Sequence, residues 1–388
     1  MFDFKIHNGV LEKYKGKKKR VVIPKRVKQI GREAFRDCSE LESVTMPGGV
    51  TEIGDFAFYG CKRLQSFPIP ESVTEIGAYA FCGCENFRSV RIPKRVTRVG
   101  CAAFSDCKNL KSIIVEEENS VYHSAGNCLI ETEGKKLIVG CSESVIPSDC
   151  GIKWIEACAF SSCKDLREIT IPEGVEYIGL SAFDGCENLQ SVKLPESLLM
   201  LEEDAFRNCV SLQEIVLPSN VQEIELAVFE GCVSLQSIKI PEKITRVANM
   251  LFYGCKNLET VSIPEGVTSI EESAFADCVC LREITIPESV TNLEPYAFCC
   301  CKALERITIP KGVACVECRV FSGCKSLTNV IFSDGVKRIG AHAFDGCTQL
   351  KEITVPKSVT EIDETAFNNC EINEAFGYIS IGGEIVFP

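Results

Sequence analysis

Histidine, tryptophan and long apolar runs are what this 388-residue chain has least of, and each scarcity closes off a class of function. Its three histidines, His7, His123 and His342, lie far apart. No neutral-pH base is therefore set beside a nucleophile, and no histidine cluster has metal-ligand spacing. A Gly-x-Ser-x-Gly elbow, a phosphate-cradling glycine loop and an Asp-x-Asp-x-Asp-Gly calcium loop are all missing. The expectation is a chain without a catalytic site, a resident metal or a cofactor. No stretch approaches the roughly 20 apolar residues that a spanning helix needs, so membrane insertion is not expected. Charges in Met1–His7 stand where an export signal would be apolar, and no Asn-x-Ser/Thr sequon occurs. The chain as written reads as soluble and cytoplasmic.

Charge is plentiful but unevenly spread. Residues 1–114 hold 21 Lys/Arg against 12 Asp/Glu, while residues 115–388 hold 21 against 42. The acidic majority argues against nucleic acid as a partner, despite the basic run Lys17-Lys18-Lys19-Arg20. The separation could steer a partner, and it also makes head-to-tail self-association a possible use.

From Ile23 onward the sequence repeats every 23 residues, as in Ile263-Pro-Glu-Gly-Val267-Thr-Ser-Ile270-Glu-Glu-Ser-Ala274-Phe275-Ala-Asp-Cys278-Val-Cys-Leu281-Arg-Glu-Ile284-Thr285. Fourteen copies start at residues 23, 46, 69 and 92 and, after an interruption, at 148 and every 23 residues to 355. A fixed short period marks a solenoid, because one unit cannot bury its own apolar face and stacking supplies the missing wall. The end of each unit alternates apolar and polar residues, as in Leu281-x-x-Ile284-x-Ile286-Pro287, and reads as a half-buried strand. Stacked coils are expected to join these strands in one parallel sheet. Position thirteen is Phe in every copy, from Phe35 to Phe367, and reads as a core spine. Position sixteen is Cys in every copy, from Cys38 to Cys370, and accounts for 14 of the 25 cysteines. A uniform column offers no pairing for disulfides, so reduced, buried thiols are expected.

These residues resemble the BspA-like leucine-rich-repeat proteins, whose unit reads Ile-Pro-x-x-Val-x-x-Ile-Gly-x-x-Ala-Phe-x-x-Cys-x-x-Leu-x-x-Ile. The resemblance implies a right-handed, curved, mostly β solenoid, with a parallel sheet on its concave face and short strands, turns and 3₁₀ segments on its convex face. It also implies a bacterial or protist protein of the cell surface or a secreted one, used in adhesion and host contact. The domain order expected is an N-terminal capping hairpin over 1–22 and repeats over 23–114. An irregular, hairpin-containing insertion over 115–145 would replace one coil and bulge outward, followed by repeats over 146–370 and a C-terminal cap over 371–388. The glycine of position nine is kept at Gly31, Gly54, Gly77, Gly100, Gly179 and Gly340. It becomes Glu at Glu156, Glu202, Glu225, Glu271, Glu294 and Glu317, so this position is expected to face solvent.

Two surfaces are candidates for binding a protein or glycan. Just after the insertion, position seven becomes Trp154, Tyr177 and Met200 on successive coils. The inserted hairpin would cover them, or they would form an exposed contact patch. The second is the outward strand column Glu168, Ser191, Glu214, Ser237, Thr260, Glu283 and Arg306, which any solvated sheet would also show. Eleven cysteines outside the column, among them Cys299-Cys300-Cys301 and Cys315-Val-Glu-Cys318, leave open a thiol-rich metal-binding or redox protein. An intracellular scaffold differs from the adhesion reading only in address.

Overall fold

The chain repeats one 23-residue path because every position of a coil meets the same positions of the coils beside it. The computed structural model describes residues 3–371 and the backbone strands Tyr378–Ile381 and Glu384–Val386. Two units divide it, Met1–Leu189 and Gln190–Pro388. Each is a β-solenoid of stacked parallel strands, and no helix occurs among the described residues.

Each unit carries two strand ladders where the repeat had suggested one. In the first unit, Gln29–Ile30, Glu52–Ile53, Glu75–Ile76 and Arg98–Val99 pair in parallel at positions seven and eight. The expected ladder at the end of the repeat is present too, as Arg20–Val22 beside Ser43–Thr45 and Ser89–Ile92 beside Ser112–Val115. The second unit repeats both, for example in Arg246–Val247 beside Ser269–Ile270 and Ser237–Lys239 beside Thr260–Ser262. A two-residue strand is too short to show alternation in sequence, and only its pairing partner reveals it.

Between the ladders the chain runs through turns in place of the expected 3₁₀ segments, because two residues in every coil but the last are left-handed. They fall at position eleven, as in Phe56 (φ 54°) and Ser273 (φ 57°), and at position fifteen, as in Gly60 (φ 68°) and Asp277 (φ 58°). Position fifteen is Gly, Asp or Asn in every coil except those with Ser162 and Cys300, the types that tolerate this backbone best. The alternation sends successive amides in two directions. Ala57 N–H bonds within its own turn to Gly54 O (3.2 Å), and Phe58 N–H reaches forward to Ala80 O (2.7 Å). Backbone groups are thus satisfied without a helix.

The interior is the Phe spine. Rings stack at centroid separations of 4.9 Å for Phe35–Phe58 and 5.3 Å for Phe58–Phe81, and at 5.2 Å for Phe275–Phe298 in the second unit. Beside it the column cysteines donate S–H to the phenylalanine carbonyl of the preceding coil, as in Cys61 Sγ to Phe35 O (3.1 Å) and Cys278 Sγ to Phe252 O (3.2 Å). Cysteine here is a donor as well as a small apolar filler. Burial pushes the thiols of Cys186 and Cys232 up to about 12.

The first unit opens with a hairpin, Phe4–His7 against Val10–Tyr14, turning on left-handed Asn8 and Gly9, and its second strand accepts Gln29–Ile30 in parallel. The inserted residues do not bulge outward. Tyr122–Ala125, Cys128–Glu131 and Lys136–Val139 pair antiparallel, and the last strand continues the ladder in parallel with Trp154–Ile155. Tyr122, Leu129, Ile130 and Leu137 are buried, and the Tyr122 hydroxyl accepts from Val99 N–H (3.0 Å). An apolar hairpin beside a coil with unmet backbone donors is drawn into the stack. Gly140 lies against the spine here, and a Cβ on it would sit 2.0 Å from the Phe160 ring. The cap expected over 371–388 falls mostly outside the described residues. Within it, Tyr378–Ile381 pairs in parallel with Glu352–Val355, and Glu384–Val386 returns antiparallel.

Candidate interaction site

The sequence left two fates for the position-seven aromatics, and the ladder decides between them. Because Lys136–Val139 adds in the plane of the ladder, with Lys136 opposite Trp154, the insertion leaves the outward face of Trp154 open. The expected cover is absent, and the indole remains 37% exposed. Parallel pairing of Trp154 with Tyr177 sets the two rings face to face, 3.8 Å between centroids and 8° from coplanar. Stacking hides the shared faces, so the pair offers solvent its edges. Leu180, also exposed, follows on the Tyr177 coil.

Charge pairs border the rings. Lys136 Nζ lies 2.8 Å from a carboxylate oxygen of Glu156, and this bond holds the ammonium above its ordinary range. Lys153 pairs with Glu176 on the other side. Met200, the third residue of the expected column, belongs to the second unit, where it is half-buried with Glu223 as its ladder partner.

The outward column is as solvated as its composition suggested. Glu168, Ser191, Glu214, Ser237, Thr260, Glu283 and Arg306 are all exposed. Ser191 stands opposite Glu214, and Ser237 opposite Thr260. Glu283 lies outside any strand. The column is a regular polar face.

In the cysteine-rich segments two of the thiols are held in the protonated form. Cys299 and Cys300 approach to 3.7 Å between sulfurs, yet burial pushes Cys299 up to about 12. Cys315 is pushed up to about 11, by burial first and then by Glu317. Thiols so shifted are protonated at neutral pH, whereas metal binding and exchange need the thiolate. Among the described residues no three His, Cys, Asp or Glu side chains are grouped to hold a metal ion, and no helix is long and apolar enough to cross a membrane.

Sequence reasoning missed a further feature. The position-nine glutamates are half-buried rather than solvent-facing, and three of them bond back to the coil before: Glu225 to Glu203 N–H, Glu271 to Asn249 N–H and Glu294 to Glu272 N–H, each at 3.0 Å. The signal was the Gly-to-Glu exchange itself, which only the inter-coil geometry explains.

Comparison with known proteins matches residues 5–127, 139–259 and 246–373 to the BspA type leucine rich repeat region. The chain belongs to that family. Among solved structures it is similar to a leucine-rich repeat protein from Bacteroides ovatus, at 30% identity and a TM-score of 0.62, over 93% of this chain and 83% of that one. It also resembles a leucine rich cell surface protein from Faecalibacterium prausnitzii, at 26% identity and a TM-score of 0.53, over 96% and 90% of the two chains. A third likeness, to a leucine-rich repeat protein from Eubacterium ventriosum, stands at 25% identity and a TM-score of 0.52, over 92% and 77%. No curated protein matches it.

Proposed function

We propose that this BspA-type repeat protein is a non-enzymatic interaction module that binds a protein partner across the Trp154–Tyr177 surface. The observation that carries this reading is the stacked ring pair of exposed Trp154 and half-buried Tyr177, at a ladder position that is Glu, Arg, Ser or Asn in most other coils. Aromatic edges with exposed Leu180 on the same coil as Tyr177, rimmed by paired charges, have the make-up of an interface hot spot: an apolar centre with a polar border. A protein is favoured over a glycan because sugar rings stack on open aromatic faces. Here Tyr177 covers one face of Trp154, and Lys136 takes the ladder place on the other side.

The address is proposed on two opposed grounds. Likeness to a Faecalibacterium cell surface protein supports the cell surface. The ladder of unpaired thiols supports a reducing compartment, where such groups persist. Fractionation of the source cells separates the two.

Because Trp154 is the only tryptophan, its fluorescence reports on this surface alone. Pull-downs from extracellular matrix and from whole-cell lysate, with a heat-unfolded control, should recover a protein that shields Trp154 from acrylamide. Trp154→Ala with Tyr177→Ala should abolish recovery while leaving the melt nearly unchanged. A recovered partner that leaves Trp154 as quenchable as before would overturn the reading.

A further inference from the structure

Position nine treats the same backbone amide in two ways. In the second unit, Glu225, Glu271 and Glu294 fold their carboxylates back onto the position-ten amides of Glu203, Asn249 and Glu272. Glu271 also takes Arg246 Nη1, at 3.1 and 3.2 Å from its two oxygens. The coil edge therefore presents a carboxylate-binding pair, one amide and one guanidinium, and this unit fills it with its own side chains.

In the first three coils of the first unit position nine is Gly31, Gly54 and Gly77, and the amides of Arg32 and Asp55 have no acceptor among the described residues. They line a groove of about 300 Å³ floored by these three glycines. A Cβ on Gly54 would stand 2.9 Å from Arg32 N, and one on Gly77 2.5 Å from Asp55 N, so only glycine fits beside the two amides. Arg32 and Arg98 also line the groove, and the Arg32 guanidinium lies over the Phe56 ring, 5.6 Å from its centroid, and 3.9 Å from its neighbour Glu33. The carboxylates on the rim already have donors: Glu52 has Gln29 Nε2 (3.1 Å), Asp55 has Ala78 N–H (2.9 Å) and Glu75 has Arg98 (3.5 Å).

We propose that this glycine-floored groove is a carboxylate-recognition site, which takes glutamate or aspartate side chains of an acidic partner segment in the place that Glu271 fills in the second unit. Its donors are the amides of Arg32 and Asp55 with the guanidiniums of Arg32 and Arg98. The excess of 21 basic over 12 acidic residues in 1–114 favours such a segment over a basic one. The site is independent of the Trp154 surface, and the failure of either leaves the other standing.

The test uses the full chain and a short capped peptide of glutamate and glycine, with its glutamine twin as control. The glutamate peptide is expected to bind at least tenfold more tightly than the twin and to shift the amide resonances of Arg32 and Asp55. Gly54→Glu, whose Cβ crowds the Arg32 amide, should weaken binding at least tenfold. Glu271→Gly should create a second site that shifts Asn249. Should Gly54→Glu fail to fold, Arg32→Ala must still lower affinity at least threefold. Equal binding of the two peptides, shifts confined to other amides, or an Arg32→Ala variant that binds as well as the parent would each overturn the proposal.

Discussion

The two units run on the same repeat and the same backbone, yet they differ at one position in how they leave the coil edge. In the first three coils glycine at position nine bares the amides of Arg32 and Asp55; at Glu225, Glu271 and Glu294 of the second unit, which also keeps Gly340, glutamate covers those of Glu203, Asn249 and Glu272. The difference teaches that a solenoid can hold its core constant while switching its surface between self-satisfied and open. Core positions answer to identical neighbours in every coil, so they cannot vary without cost. Edge positions answer to one amide and to solvent.

The comparison predicts first that the core is indifferent to it. Phe58→Ala in the first unit and Phe275→Ala in the second each empty a fully buried stacked ring. Both should lose about 3–5 kcal/mol in urea unfolding. A cost in one unit less than half that in the other would break the claim of a common core.

Alkaline titration tests the thiol ladder in the same way. With folded pKa values raised to about 12 at Cys186 and Cys232, the protonated form is the one the fold keeps. Stability is then fully present below the ordinary thiol range near 9 and declines as pH climbs from there toward 12. Both units should lose stability together over that window, and the buried thiols should react with a thiol reagent at neutral pH only after unfolding. Rapid labelling of all 25 cysteines in the folded chain would contradict the ladder.

Gly140→Val probes the spine where the inserted hairpin meets it. The added side chain meets the Phe160 ring, and overpacking should cost about 1–3 kcal/mol. Glu271→Gln weakens the bonds to Asn249 N–H and Arg246 and should cost about 1–2 kcal/mol by the same unfolding measurement. The exposed partner of the comparison, Trp154→Ala, should cost about 1 kcal/mol or less, because only one stacking contact and a partly solvated ring are lost. A larger loss there would make Trp154 a structural residue and sharpen the search toward the groove.

Much of this was legible in the residues. Phe and Cys at fixed places announced the spine and its thiol column, since a side chain repeated at one point of every coil must face its own copies. The left-handed turns were half legible, through the Gly, Asp and Asn of position fifteen. The position-seven ladder was not, because two residues carry no periodicity. The candidate site divided likewise: Trp154 and Tyr177 stood out as exceptions to the repeat, but whether the insertion covered them depended on where its last strand paired.

Sequence alone determined the stack, its period and the contents of its core, because those follow from self-complementarity at a fixed spacing. Tertiary structure decided what the surface exposes: the edges of Trp154 and Tyr177, and the bare amides of Arg32 and Asp55 above three glycines. The physical reason is that a backbone amide looks the same in every sequence. Whether it is covered depends on which residue the next coil, 23 residues away, brings over it.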